Sequence, residues 1–112
     1  KRCLLISRTK VKGTGKELVY INLHLEAYDK GAGKKAQTRA LNRILKQEAE
    51  KGNYVIAAGD FNQTFNNVDT NEYKVQKGLW KPGNIEMSYC KTVDLSFKNS
   101  DHNPVVAEIK LK

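Results

Sequence analysis

No apolar run in this sequence approaches the roughly 18 residues that a membrane-crossing helix needs. The opening Lys1-Arg2-Cys3-Leu4-Leu5-Ile6 has too short an apolar core, and no cleavage site, for a secretory signal. No initiator methionine precedes it, so a processed or trimmed start is expected, and the compartment, cytoplasmic or exported, stays open. Cysteine is scarce: Cys3 and Cys90 match no zinc-ligand spacing and leave two readings, buried thiols or a single bridge. A phosphate loop is missing as well. Gly15-Lys16 and Gly33-Lys34 hint at one, but Lys10 and Tyr28 stand where the upstream glycine belongs, and no Ser or Thr follows either lysine. Acidic residues are the minority, 12 against 20 lysines and arginines, for a formal net charge of +8. Such a surplus attracts phosphate, nucleic acid or anionic lipid. With aromatics at only 8% and the lysines spread along the chain, general solubility explains it as well.

What is present has the balance of a soluble globular protein, 39% hydrophobic and 29% charged. A length of 112 residues makes one domain or part of one. Residues 3–11 read as a strand, and Lys12-Gly13-Thr14-Gly15-Lys16 turns it into a second strand over 17–25, an antiparallel hairpin. Along that second strand Val19, Ile21, Leu23 and Leu25 share one face, and Leu18, Tyr20, Asn22 and His24 the other. Asn22 and His24 thus point the same way at its end. A polar loop with Glu26 and Asp29 follows and keeps His24 near solvent. The spacing then predicts a helix over 34–51, with an inward stripe of Ala36, Ala40, Leu41, Ile44, Leu45 and Glu48, and with Gly52 at its C′ position. Its basic residues read as a solvated face.

The organising stretch is Tyr54-Val55-Ile56-Ala57-Ala58-Gly59-Asp60-Phe61-Asn62. Its apolar run predicts a strand buried on both faces, and strand, helix, strand makes a crossover unit. Gly59 lets the backbone pass close to something. Asp60 and Asn62 emerge at the strand end, where a turn and a functional site are the two readings. Residues 61–88, with Trp80 and Pro82, show little periodicity, as functional loops often do, and no obvious aromatic wedge or membrane hairpin. Asn62-Gln63-Thr64 fits a glycan acceptor by chance. Residues 89–98 alternate weakly through Val93, Leu95 and Phe97. Residues 105–112 form a closing strand, with Val105, Ala107, Ile109 and Leu111 facing in.

Asp101 and His102 precede that last strand, and Pro104 stiffens the backbone there. His24, Asp60, Asn62, Asp101 and His102 therefore all lie at or next to strand ends. Carboxylates, an amide and two imidazoles, with neither a nucleophilic serine and its base nor a thiolate site, suit metal-assisted hydrolysis of a phosphoester. A hard cation takes one or two carboxylates plus waters and substrate phosphate. A non-catalytic phosphate-binding module is the competing reading.

Three stretches resemble, in order and spacing, successive motifs of the endonuclease/exonuclease/phosphatase (DNase I-like) family: Asn22-Leu23-His24-Leu25, Gly59-Asp60-Phe61-Asn62 and Ser100-Asp101-His102-Asn103-Pro104-Val105. That family includes nucleases, abasic-site endonucleases, sphingomyelinases and inositol-phosphate phosphatases. The resemblance implies an α/β (α+β) two-sheet sandwich flanked by helices, of which residues 1–112 form the C-terminal part, about half of a single domain. It implies Mg²⁺ or Mn²⁺, a phosphoester substrate with nucleic acid among the options, and a monomer. By motif match, Asp60 would position or deprotonate the attacking water and bind metal, and Asn62 would hold the phosphate oxyanion. His102 would contact the phosphate or act as base, with Asp101 as metal or orienting ligand, and His24 would act near the leaving group. The family's early Asn and metal-binding Glu motifs would precede Lys1. Its Ile-Asp strand finds no good match in 89–98, and Ser88-Tyr89-Cys90 is expected to mark missing residues. The alternative implied is a catalytically inactive phosphate- or nucleic-acid-binding relative or fragment.

Overall fold

The computed structural model describes residues 2–28, 31–62 and 83–112. Among them lie strands β1 (Leu4–Lys10) and β2 (Glu17–His24), helix α1 (Ala32–Glu50), and strands β3 (Tyr54–Asp60), β4 (Ile85–Thr92) and β5 (Val105–Leu111). The chain divides into two units, residues 1–82 and 83–112. The fold is mixed α and β: a sheet of order β1-β2-β3 in the first unit and a β4-β5 pair in the second. No helix among the described residues is long and apolar enough to cross a membrane.

In the first unit β1 and β2 form the expected antiparallel hairpin, from Leu4 opposite Leu23 to Lys10 opposite Glu17. Its turn is closed by the Val11 N–H on the Lys16 carbonyl at 2.9 Å. The Thr14 hydroxyl donates to the Val11 carbonyl at 2.9 Å and accepts the Lys16 N–H at 3.1 Å. Gly13 and Gly15 take φ of 79° and 69°, the left-handed region that side chains resist. β3 then lies parallel to β2, in register from Leu18 opposite Tyr54 to His24 opposite Asp60.

The core is the alternation of β2 made physical. Val19, Ile21, Leu23 and Leu25 are buried, and Leu41 and Leu45 of α1 and Val55 of β3 close over them. Each such side chain removed from water contributes about 1.5–3 kcal/mol. The stripe on α1 differs from the sequence pattern, because Ala36 and Ala40 are exposed and the buried line runs through Leu41, Leu45 and Glu48. Alanine fits either face of a helix, so its spacing alone does not orient it. α1 also begins earlier than the spacing predicts, after Gly31 at φ 99°. It ends as expected, with Gly52 at φ 82° and its N–H on the Ala49 carbonyl at 2.8 Å.

Glu48, the polar member of that stripe, has a physical reason to be inside. Arg8 of β1 donates to both its oxygens at 2.8 Å, Lys51 donates at 2.9 Å and the Asn53 amide at 3.0 Å. The Asn53 side-chain oxygen Oδ1 accepts the Glu17 N–H at 3.0 Å. One buried carboxylate thus ties β1, β2 and the end of α1 together. The Arg8 hydrogen bonds, more than the opposing burial, hold its carboxyl well below the usual carboxylate range.

β3 is not buried on both faces. Tyr54 and Val55 are buried, Ile56, Ala57 and Ala58 are half-buried, and Gly59 is exposed. Among the described residues β3 is an edge of its sheet.

In the second unit β4 and β5 pair antiparallel, with an irregularity between Met87 and Tyr89. Ser88, part of the stretch expected to mark missing residues, is the extra residue of that bulge, and its hydroxyl lies 3.1 Å from Glu108 Oε1. The strand expected over 89–98 starts earlier and ends at Thr92. Val93, Leu95 and Phe97 belong to a connecting turn instead. The Asp94 carboxylate accepts the Ser96 N–H at 2.7 Å, and Ser96 and Phe97 take φ of 53° and 52°, which a strand does not allow. Of the long loop read over 61–88, residues 63–82 lie outside the described residues, as do Asp29 and the Gln63 and Thr64 of the glycan pattern. Cys3 and Cys90 are both exposed, so the buried reading does not hold.

Candidate functional site

Parallel strands end together, and the crevice beyond their carboxyl ends is where open α/β sheets place ligands. β2 and β3 end on His24 and Asp60, which are register partners. The alternation that buries Leu23 and Leu25 leaves Asn22 and His24 on the opposite, exposed face. His24 Nε2 lies 3.5 Å from Asp60 Oδ2, with the imidazole 58% and the carboxylate 26% exposed.

The backbone beyond β3 folds back on this pair. Asp60 Oδ1 accepts the Asn62 N–H at 2.8 Å, and the Asp60 carbonyl accepts the Leu25 N–H at 2.8 Å. Asn62 sits at φ 49°, a left-handed conformation that asparagine tolerates better than most side chains. Its amide nitrogen donates to the Leu25 carbonyl at 2.8 Å. One amide N–H is thus committed to joining the strand ends. The turn reading holds here: the turn chemistry of Asp and Asn builds the cluster.

Gly59 explains how the ends come this close. Its φ is 138°, and a Cβ there would run into the Leu23 carbonyl oxygen of β2. The close approach read from the sequence is therefore to the neighbouring strand.

Lys34 was not visible as a neighbour of this cluster. Its ammonium donates to the Asn62 carbonyl at 3.0 Å, from the first turns of α1. The only sequence signal was the Gly33-Lys34 pair, which fails as a phosphate loop. Gln37, one turn further on, accepts the Glu26 N–H at 2.8 Å and fixes the chain leaving β2. Glu26 is occupied by its own loop: the Tyr28 and Ala27 N–H groups and Arg2 hold its carboxyl below the ordinary range, with Tyr28 foremost.

In the second unit Asp101 and His102 stand side by side in an exposed turn before β5. Asp101 Oδ1 lies 3.8 Å from His102 Nε2, an ion-pair distance beyond hydrogen-bond length. The Ser100 hydroxyl accepts the His102 N–H at 3.1 Å. His24, Asp60 and Asn62 are thus brought together in the first unit, and Asp101 and His102 in the second. Among the described residues no group of three or more His, Cys, Asp and Glu side chains gathers in metal-binding fashion. Asp60 nonetheless offers the single carboxylate that a largely hydrated Mg²⁺ requires of a protein. No family model, curated protein or solved structure matches the chain.

Proposed function

We propose that this chain carries the active-site half of a divalent-metal-dependent phosphoester hydrolase of the endonuclease/exonuclease/phosphatase type, built as a DNase I-like two-sheet sandwich. The observation that carries the reading is the His24–Asp60–Asn62 cluster at the carboxyl ends of a parallel strand pair. The order of the three sequence motifs adds Asp101 and His102 to it.

In this reading Asp60 orients the attacking water through the oxygen that faces His24 and takes up its proton. The remaining N–H of Asn62 stabilises charge developing on the phosphate, and the Lys34 ammonium adds to the positive potential. His24 stands where it can give a proton toward the leaving oxygen. His102 contacts the phosphate and Asp101 orients it. Asp60 and Asp101 are the carboxylates that would hold Mg²⁺ or Mn²⁺, which when bound supplies neutralisation of phosphate charge.

The test is hydrolysis of a generic phosphodiester by the complete protein after chelation and after Mg²⁺ is returned. Activity is expected to vanish and come back, and to be lost in Asp60→Ala and in His102→Ala. Undiminished turnover in those two variants would overturn the reading. Oligonucleotide binding without turnover under any metal would leave a non-catalytic binding module.

A further inference from the structure

The turn between β1 and β2 lies at the other end of β2 from His24, roughly 23 Å away at the rise of a strand. It lines a cleft of about 600 Å³ bounded by Lys10, Lys12, Gly13, Lys16, Glu17 and Asn53. Three lysines thus border one concavity. Among the described residues no carboxylate forms an ion pair with any of them, although Arg2, Arg8, Lys51 and Lys112 are all paired. The acidic groups at this end are already engaged: Glu17 by Arg8, and Glu48 by Arg8, Lys51 and Asn53. Among the described residues the three lysines of the cleft therefore have no carboxylate of their own.

The cleft is also shaped. Lys16 Nζ sits 4.8 Å from the centre of the Tyr54 ring, a cation–π contact that positions it. Hydrogen bonds from Thr14 and Lys16 fix the turn. At Gly13 and Gly15 no atom of the described residues stands within 4 Å of where a Cβ would be.

We propose that this hairpin end is a docking surface for the phosphate backbone of a nucleic-acid strand, separate from the His24–Asp60 cluster and independent of hydrolysis. Anionic lipid shares the phosphate chemistry but fits less well. The tip Lys12-Gly13-Thr14-Gly15-Lys16 carries no apolar side chain to enter a bilayer, and the lysines border a concavity rather than a flat face. With no aromatic platform at the tip, binding here is electrostatic and indifferent to sequence.

Fluorescence anisotropy of a labelled, mixed-sequence single-stranded oligonucleotide, with the full chain in EDTA, separates binding from any metal-dependent cleavage. Lys10→Gln/Lys12→Gln/Lys16→Gln is expected to weaken binding by roughly tenfold or more, and to make the log K against log salt slope shallower by about 2. Lys10→Gln/Lys12→Gln, which leaves the Lys16–Tyr54 contact intact, is expected to make it shallower by about 1.4. Replacing all three lysines by arginine is expected to preserve affinity. Unchanged affinity in the two-lysine variant overturns the proposal. So does equal loss in the arginine variant, or binding to phosphatidylserine vesicles with none to the oligonucleotide.

Discussion

Asp60 holds three groups at once: the Asn62 N–H and the His24 ring through its carboxylate, and the Leu25 N–H through its carbonyl. Asp60→Asn keeps the size and an acceptor oxygen but removes the charge. It is expected to lower phosphodiester turnover by about a thousandfold while shifting the melting temperature little. Gly59→Ala does the reverse in cause. It places a methyl against the Leu23 carbonyl at a φ that side chains avoid, so a loss of about 3 kcal/mol is expected in denaturant titration. Glu48 makes stability depend on acid. Its carboxyl is held low in the folded state, so its contribution is present above the unfolded value of about 4.5 and is lost as pH falls toward the folded one. Melting temperature is expected to decline progressively below that pH, and to decline less steeply in Glu48→Gln. Glu26, held by the Tyr28 N–H, and Glu86, held by Lys112, shift in the same sense and keep some acid dependence in that variant.

Among the elements, β2 was the most legible, because a strand with one wet face prints its geometry on alternate residues. From that alternation alone Asn22 and His24 could be placed on one exposed face, and the Asp-Phe-Asn ending of β3 marked the second half of the cluster. Lys34 was not legible, since its place depends on where α1 begins, and Gly31-Ala32-Gly33 gives no capping signal. β4 was displaced for a different reason. A bulge at Ser88 breaks the period of two inside the real strand, while Val93, Leu95 and Phe97 mimic that period in a turn. The pairing of Arg8 with Glu48 joins residues far apart in sequence and leaves no local pattern, although the single acid in an apolar stripe was its trace. Because Leu41 closes over β2 and β3 and is wholly buried, Leu41→Ala is expected to cost about 3 kcal/mol, measurable as a lowered denaturation midpoint.

At the scale of the whole chain, the buried core belongs to residues 1–82, and no described residue of 83–112 is buried. A two-stranded hairpin without a covered face is marginal in water. Amide hydrogens of β4 and β5 are expected to exchange with solvent much faster than those of β2 and β3, a contrast that exchange mass spectrometry reads directly. In the second unit Met87, Tyr89, Val105 and Val106 remain exposed, and in the first so do Leu5 and Tyr20, on the face that carries His24. A sandwich would give such faces something to cover, which is why the proposed architecture and the proposed chemistry stand together.

The parallel pairing of β2 with β3 also dictates an order of events during folding. The β1–β2 hairpin closes a short turn and is able to form early, whereas His24 meets Asp60 only after the whole helical connection has been looped back. His24 and Asp60 are therefore expected to meet after the hairpin has closed. Substitutions in α1 that weaken its docking are expected to delay protection of the β3 amides on refolding, after the hairpin has already re-formed, which pulsed hydrogen exchange reads.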